Sequence, residues 1–172
     1  MLLCEWVYKP MWTFWHVTSK FKLSKICFNF IIGLPKPPDV LKAATGPDGI
    51  LEGLKNGGIW IDHSTTDYEQ NLMFEDIASK KDAHILECPI TGGLEALKKG
   101  QMAVWVAGDV EAYKKSKGVL DASYTTVLYT GKLGTAMIPK VLSNMLCAVQ
   151  VLAMSECFAI GNKIPTSFKD YY

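Results

Sequence analysis

Two polar side chains interrupt the most apolar segment of this sequence of 172 residues. Lys140 and Asn144 lie four residues apart, and on a helix that spacing places both side chains on one face. One interpretation is a solvated stripe on a half-buried helix. The other is a desolvated lysine with a lowered pKa, held by the amide and acting as a general acid or base. Lysine can do this chemistry and arginine cannot, because arginine does not release its proton.

Hydroxyl side chains follow a predicted strand over residues 59–62. Ser64 and Thr65 come shortly after that strand, where their hydroxyls could face a ligand, although helix capping is the simpler interpretation. Thr66, with Glu69 three residues later, has the pattern of a capping box and predicts that a helix begins there. The apolar residues that we expect on the buried face of that helix are Tyr68, Leu72, Met73 and Ile77.

The segment Thr91-Gly92-Gly93 follows another predicted strand. Two adjacent glycines allow backbone N–H groups to approach an anion closely, and the threonine places a small hydroxyl beside them. The alternative is a plain turn before residues 94–98. The pattern alone does not choose between the two.

The composition excludes several classes of protein. All 18 basic residues are lysines, against 17 acidic residues, and this balance without arginine argues against nucleic-acid binding. The five cysteines lie far apart with no C-x-x-C pair, and the three histidines have no ligand spacing. We therefore expect free thiols in a reducing compartment and no metal site. No run of consecutive apolar residues approaches the roughly 18 to 20 needed to cross a bilayer, so we expect no membrane segment.

Strands alternate with helices along most of the chain, joined by short loops rich in Gly and Asp. This order predicts an α/β fold with a mainly parallel sheet, in which ligands bind beyond the carboxyl ends of the strands. The predicted strands are 26–34, 59–62, 84–88, 102–107 and 124–129. The predicted helices are 40–44, 66–80, 109–120 and a long helix from after Gly134 to about residue 160.

The beginning of the chain has a different character. Gly33 is the first of 14 glycines, so the preceding residues cannot form a glycine-rich phosphate loop. They hold three of the five tryptophans, and Glu5 is their only acidic residue. Neither a helical nor a strand period is clear before residue 26. We therefore separate residues 1–25 from the rest.

Several blocks, taken in order, resemble the β-hydroxyacid dehydrogenase family, which includes the 3-hydroxyisobutyrate and 6-phosphogluconate dehydrogenases. The blocks are Leu34-Pro35, Gly46 to Lys55, Gly57-Gly58-Ile59, Asp62-His63-Ser64-Thr65, Glu87 to Gly93, Gly108-Asp109, and Gly131, Gly134, Lys140, Asn144, Glu156 and Gly161 at the family's spacing. The resemblance covers about residues 29 to 165. It implies the C-terminal part of a Rossmann-like NAD(P)-binding domain over residues 26–131. A catalytic helix and the start of an all-helical domain over residues 132–172 would follow.

The resemblance implies an oxidoreductase that oxidises the hydroxyl of a small β-hydroxyacid or reduces the matching semialdehyde. Lys140 matches the family's catalytic lysine, and Asn144 matches the asparagine that positions the lysine and the substrate. Thr91, Gly92 and Gly93 match the segment that binds the substrate carboxylate. The resemblance also implies an intracellular enzyme, cytoplasmic or mitochondrial, and a homo-oligomer in the full-length family form.

The cofactor implied by the resemblance is NAD or NADP. Thr65, with Ser64 beside it, matches the position that contacts the nicotinamide side, and Leu34 and Pro35 match the edge of the adenosine cleft. The family's G-x-G-x-x-G turn has no counterpart, since no glycine precedes Gly33. We therefore expect a chain truncated at both ends relative to the family. The alternative function is a non-catalytic truncated isoform, or an interaction protein that lacks the cofactor loop.

Overall fold

The computed structural model describes residues 29–163. Three parts of the chain lie outside this range: residues 1–25, which differ in character from the rest, the first residues of the predicted strand 26–34, and residues 164–172.

Within the described part, strands and helices alternate as the sequence predicts. The strands are β1 (Asn29–Ile32), β2 (Ile59–Asp62), β3 (His84–Glu87), β4 (Ile90–Thr91), β5 (Ala103–Gly108) and β6 (Thr126–Gly131). The helices are α1 (Pro37–Thr45), α2 (Ile50–Gly53), α3 (Tyr68–Ser79), α4 (Gly93–Lys98), α5 (Val110–Ser123) and α6 (Met137–Gly161). The α/β class is confirmed, while the short elements α2, α4 and β4 were not predicted.

The strands form one sheet in which β1, β2 and β3 run parallel. β5 lies beside β3 in the antiparallel direction, and β6 pairs with β5 in the parallel direction. β4 also pairs with β5 in the antiparallel direction, and its register continues that of β3. β3 and β4 therefore follow one line along β5, interrupted at Cys88 and Pro89. Proline has no N–H for a ladder hydrogen bond, which explains the interruption.

Hydrophobic clusters cover both faces of the sheet. The four residues of β2 are all buried, and because successive side chains of a strand point to opposite faces, its three apolar residues divide between the two clusters. Trp60 packs with Phe74 of α3 and with residues of α1 and α2 in one cluster. Ile59 and Ile61 pack with Leu120 of α5 in the other. A strand covered by helices on both sides is typical of parallel sheets in α/β proteins.

The start and the buried face of α3 differ from the prediction. The helix begins at Tyr68 with Asp67 as its N-cap, and Thr66 instead donates its hydroxyl hydrogen bond to Oδ1 of Asn71 (2.9 Å), so the predicted capping box does not form. The buried residues of the helix are Asn71, Phe74 and Ala78. Tyr68, Leu72 and Met73, which we expected to be buried, are exposed. Ile77, the fourth residue of the expected face, is partly buried and packs against the core, so the prediction is wrong for three of its four residues.

The chain separates into two compact units, and the second unit begins at Pro139. This second unit consists mainly of α6, whose side chains are largely exposed and mostly apolar. Contrary to the expectation from consecutive apolar residues, α6 is long and apolar enough to cross a membrane, because only a few polar residues are spread along it. Length and composition alone support this, and a core helix of a soluble protein passes the same test.

Candidate functional site

The carboxyl ends of β1, β2 and β3 meet at one edge of the sheet. Two backbone hydrogen bonds extend the ladders past the strand ends, from the N–H of His63 to the carbonyl of Ile32 (2.8 Å) and from the N–H of Cys88 to the carbonyl of Asp62 (2.7 Å). The loops that follow the three strands therefore begin side by side. These loops carry the residues that the sequence predicts for cofactor and substrate.

Ser64 and Thr65 have different surroundings. Ser64 is buried, and its Oγ accepts a hydrogen bond from the backbone N–H of Leu34 (2.9 Å), so this hydroxyl links the loops after β1 and β2. Its backbone N–H donates to Oδ1 of Asp62 (2.8 Å). Thr65 is exposed, as is Pro35, and Leu34 is half-buried. The pair therefore divides into a residue that holds the loops together and a residue that is open to a ligand.

Asp62 is a buried carboxyl group at the end of β2. Burial raises its pKa to about 6, and hydrogen bonds from the backbone and side chain of Ser64 oppose the shift without cancelling it. Its Oδ2 atom is buried and has no hydrogen-bond partner among the described residues. One oxygen of this buried carboxyl group is therefore unpaired, and an unpaired buried oxygen lowers the stability of the folded state.

His63 connects three elements at the same edge. Its Nδ1 lies 2.7 Å from the carbonyl oxygen of Cys88, and its Nε2 lies 3.0 Å from the hydroxyl of Tyr124, at the end of α5. A carbonyl can only accept, so Nδ1 carries the proton and Nε2 accepts from the tyrosine. Burial lowers the pKa of His63 and raises the pKa of Tyr124. The ring is therefore a neutral bridge between the loop after β2, the end of β3 and the end of α5.

The predicted carboxylate-binding segment lies where β4 leads into α4. Thr91 pairs with Ala103 of β5 and is half-buried, whereas Gly92 and Gly93 are exposed. Gly93 has a φ of 66°, and a side chain there would meet no atom within 4 Å, so the space above its backbone is open. Gly92 has a φ of 139°, and a Cβ there would collide with Ala96 and Met102. The two glycines thus provide a sharp turn whose backbone is accessible.

Glu87 is buried at the end of β3 and contacts a distant part of the chain. Its Oε2 accepts a hydrogen bond from the N–H of Gly134 (2.7 Å), and its Oε1 accepts one from the N–H of Met137 (3.1 Å). The pKa of Glu87 is raised, mainly by burial and to a smaller extent by the charge of the nearby Asp62. The hydrogen bonds from the segment that begins α6 oppose this shift. Glu87 therefore caps the segment that begins α6.

The predicted catalytic pair lies on α6, in the second unit. Lys140 is half-buried and Asn144 is exposed, and the helix confirms that the two positions share one face. Pro139 is the third residue of the helix. It lies within the first turn, where a proline does not break the helix because its missing N–H would have no partner inside the helix.

The family is decided by comparison with known proteins. A family model, described as the NAD binding domain of 6-phosphogluconate dehydrogenase, matches residues 16–131, more than half of the chain. The chain belongs to this family. It is thus a member of the β-hydroxyacid dehydrogenases, as the order of its motifs indicates. The matched range begins at residue 16, ahead of the boundary at residue 26 that the sequence motifs indicate.

Two curated relatives show how much of a family member the chain spans. It is 26% identical over 148 residues to the mitochondrial 3-hydroxyisobutyrate dehydrogenase of Homo sapiens, covering 86% of this chain and 44% of the relative. It is 25% identical over 149 residues to the chloroplastic glyoxylate/succinic semialdehyde reductase 2 of Arabidopsis thaliana, covering 87% and 42%. The chain spans less than half the length of these dehydrogenase relatives.

Solved structures of other proteins have the same Rossmann-like fold as this chain. A Mycobacterium tuberculosis 3-hydroxyisobutyrate dehydrogenase with L-serine has a TM-score of 0.76 at 24% identity, with 86% of this chain and 50% of that chain covered. A structure described as Psf3 in complex with NADP+ and 2-OPP has a TM-score of 0.80 at 24% identity, covering 90% and 55%. These likenesses support the fold of this family member.

The residues of this family member fit part of an NAD(P) site. Thr65 and Pro35 are exposed and Leu34 is half-buried beside them, and the bond from Leu34 to Ser64 fixes the two loops together. These loops leave an accessible surface where the sequence predicts that the cofactor lies. Neutralising the diphosphate requires backbone donors from a glycine-rich turn, and the sequence contains no such turn before Gly33. Among residues 29–163, no group of three or more His, Cys, Asp or Glu residues could hold a metal ion.

Three contacts of this site were not predicted from the sequence. They are the hydrogen bond between His63 and Tyr124, the bond from the N–H of Ser64 to the buried Asp62, and the bonds of Glu87 with the start of α6. Glu87 and Gly134 are 47 residues apart, and no local capping pattern reaches so far. The available signal was the position of two acidic residues at the ends of otherwise apolar strands, where a charge needs a partner.

Proposed function

We propose that this chain carries the substrate side and the catalytic lysine of an NAD(P)-dependent oxidoreductase. The reaction oxidises the hydroxyl of a small β-hydroxyacid such as 3-hydroxyisobutyrate, or reduces the matching semialdehyde. The single observation that carries the proposal is the family match over residues 16–131, followed on α6 by Lys140 and Asn144 at the family's spacing. The comparisons do not support the alternative of an interaction protein.

Lys140 is proposed to move the proton. In the oxidation, its neutral amine takes the proton from the substrate hydroxyl as that oxygen forms the carbonyl. NAD(P)+ when bound supplies the hydride acceptor, and the hydride leaves the carbon that bears the hydroxyl. In the reduction, the protonated amine returns a proton to the alkoxide oxygen. Asn144 is proposed to hold the substrate and the lysine through its amide.

Thr91, Gly92 and Gly93 are proposed to bind the substrate carboxylate. The hydroxyl of Thr91 and the backbone N–H groups of the two glycines are donors of the kind that bind anions. The open space above Gly93 and the exposure of both glycines support this assignment. Leu34, Pro35 and Thr65 are proposed to contact the cofactor, with Ser64 acting indirectly by fixing Leu34.

The surroundings of the enzyme are inferred from its relatives. The human relative is described as mitochondrial and an Arabidopsis thaliana relative as chloroplastic, so we infer an intracellular protein without choosing the compartment. A homo-oligomer in the full-length form is part of the same proposal. NAD and NADP both remain candidates.

The proposal is tested with the purified chain. The formation of NADH or NADPH from 3-hydroxyisobutyrate, and the consumption of NADPH with glyoxylate or succinic semialdehyde, are followed at the absorbance of the reduced nicotinamide. We expect Lys140→Ala and Lys140→Arg both to lower kcat by about 100-fold to 10,000-fold. Arginine keeps the positive charge but does not release its proton, so it separates proton transfer from charge.

A binding measurement accompanies the activity. We expect millimolar NADH or NADPH, or 3-hydroxyisobutyrate, to raise the melting temperature of the chain, since a ligand that binds the folded state stabilises it. A chain that neither turns over these substrates nor gains thermal stability from them would contradict the proposal.

A further inference from the structure

The start of α6 is fixed by a carboxyl group from the sheet. The N-terminal N–H groups of a helix have no partner inside the helix, and a negative charge near them is favourable. Glu87 satisfies two N–H groups of this segment, those of Gly134 and Met137, and the N–H of Ala136 also lowers its pKa. Met137 is the first residue of α6, and Lys140 is the fourth.

We propose that Glu87 is the positioning residue for Lys140, and that its ionised form holds the first turn of α6 in place. The inference rests on the proposed function, in which Lys140 moves the proton. Glu87 does not take part in proton transfer in this proposal. It determines where the helix begins, and Lys140 follows one turn later on the same helix.

The surrounding contacts make Glu87 the main anchor of this segment. Pro139 has no N–H, so the first turn of α6 has one backbone donor fewer with which to form other contacts. Gly134 has a φ of 91°, and its Cα faces the ring of Tyr68 so closely that a Cβ there would overlap the ring. The segment before the helix is therefore held between an aromatic ring and a carboxylate.

The charges around Glu87 make the anchor sensitive to pH. Asp62 is its register partner on β2, and the Cys88 thiol follows it directly after the end of β3. Its partner on β5 is Ala107, which has no charge, and the segment before α6 offers neutral N–H donors. Two buried carboxyl groups side by side disfavour double ionisation. Protonation of Glu87 removes the charge that strengthens its bonds to Gly134 and Met137.

Amide hydrogen exchange of the purified chain, measured by NMR, tests the anchor without any need for turnover. We expect Glu87→Gln to raise the exchange rates at Gly134, Met137, Lys140 and Val141 by tenfold or more. The amide of Ala112 should stay unchanged, because Asp109 caps α5 there through a bond of 2.8 Å. Asp109→Asn is the matched control, and it should raise the rate at Ala112 and leave the α6 amides unchanged.

The wild-type chain gives a second measurement, in case the variant does not fold. The side-chain carboxyl of Glu87 and the amides of Gly134 and Met137 are followed by NMR as the pH is lowered. We expect their chemical shifts to change with one common midpoint, and the protection factors at Met137 and Lys140 to fall through the same range. Separate midpoints, or protection at Lys140 that is independent of Glu87, would overturn the proposal.

Kinetics distinguish this inference from the proposed function. We expect Glu87→Gln to lower kcat by tenfold or more with KM for 3-hydroxyisobutyrate changed by less than twofold. An effect on KM alone would overturn the role in positioning Lys140. If the wild-type chain is inactive, the proposed function fails, while the hydrogen-exchange result still decides whether Glu87 anchors the helix.

Discussion

The hydroxyl of Tyr124 lies 3.0 Å from Nε2 of His63, which is 61 residues earlier in the chain. The bond joins the end of α5 to the loop after β2, and the other ring nitrogen reaches the carbonyl of Cys88. One imidazole thus holds together three segments at the candidate site.

Removal of the tyrosine hydroxyl tests the importance of this bridge. We expect Tyr124→Phe to lower the free energy of unfolding by about 1 to 2 kcal/mol, because Nε2 of His63 loses its donor inside the protein. The measurement is urea-induced unfolding at pH 7.5. Tyr68→Phe is the control, since Tyr68 is 56% exposed and should tolerate the loss of its hydroxyl. Equal effects of the two substitutions would show that the bridge contributes no stability.

The protonation of His63 gives a prediction about acid conditions. Burial lowers the pKa of the folded ring, while the unfolded ring titrates near 6.5. The neutral ring therefore contributes stability above pH 6.5, and this stability is lost as the pH falls below that value. We expect NMR of the ring nitrogens to give a titration midpoint for His63 below 6.5, with the proton of the neutral ring on Nδ1. A midpoint at or above 6.5 would refute the assignment.

Asp62 has the opposite pH dependence. Because burial raises its pKa from 3.8 to about 6, its effect on stability becomes unfavourable as the pH rises through this range. A shift of this size corresponds to roughly 3 kcal/mol. We expect Asp62→Asn to stabilise the protein by up to about that amount at pH 7.5, and by much less at pH 4, in urea unfolding.

A surface carboxyl group provides the control for this prediction. Asp76 forms an exposed ion pair with Lys80, and an exposed pair contributes little stability. Asp76→Asn should therefore change the free energy of unfolding by less than about 1 kcal/mol at either pH. An Asp62→Asn variant that is less stable than the wild type at pH 7.5 would contradict the role given to burial.

Ser64 and Thr65 are adjacent but should respond differently to truncation. We expect Ser64→Ala to lower the free energy of unfolding by about 1 to 2 kcal/mol, because the N–H of Leu34 loses its acceptor. Thr65→Ala should leave stability within about 0.5 kcal/mol of wild type and weaken the binding of NADH or NADPH. Urea unfolding and cofactor titration separate the two effects, and a stability loss for Thr65→Ala would count against its exposed, ligand-facing role.

Two glycines offer a matched comparison of backbone constraint. Gly134 has a φ of 91° and lies against Tyr68, so we expect Gly134→Ala to destabilise the chain by about 2 kcal/mol or more. Gly118 lies inside α5, and a Cβ there meets no atom within 4 Å, so Gly118→Ala should stabilise it by about 0.5 to 1 kcal/mol. Thermal and urea unfolding measure both changes. A neutral Gly134→Ala would show that this turn is not constrained.

Local patterns in the sequence were sufficient for most elements of the fold. Apolar runs bounded by Gly and Pro predict β2 and β3 almost to the residue, and Asp109 correctly marks the start of α5. The antiparallel direction of β5 and the two-residue strand β4 depend on pairing between strands, which no local pattern encodes. The buried face of α3 was predicted only in part, since Ile77 packs against the core, whereas the polar residue Asn71, which hydrophobicity alone would leave exposed, is buried and bonded to Thr66.

The candidate site was predictable only in part. Adjacent hydroxyl and glycine residues predict ligand contacts at Thr65, Gly92 and Gly93, and the structure leaves all three exposed. The side chains that hold these loops together, Asp62, His63 and Glu87, make their contacts across 2 to 61 residues of sequence. Such contacts arise only when the sheet brings distant loops to one edge.

The alignment of β3 and β4 along a single edge of β5 affects how accurately Thr91 is positioned. The register of the two short strands against β5 is the same on both sides of Cys88 and Pro89, so pairing with β5 fixes the position of Thr91 along the sheet. Side chains of a strand alternate between faces, and a slip of one residue would turn the hydroxyl of Thr91 to the opposite side of the sheet. The position of the Thr91 hydroxyl in the candidate site therefore depends on β5, a strand that contributes none of the proposed site residues.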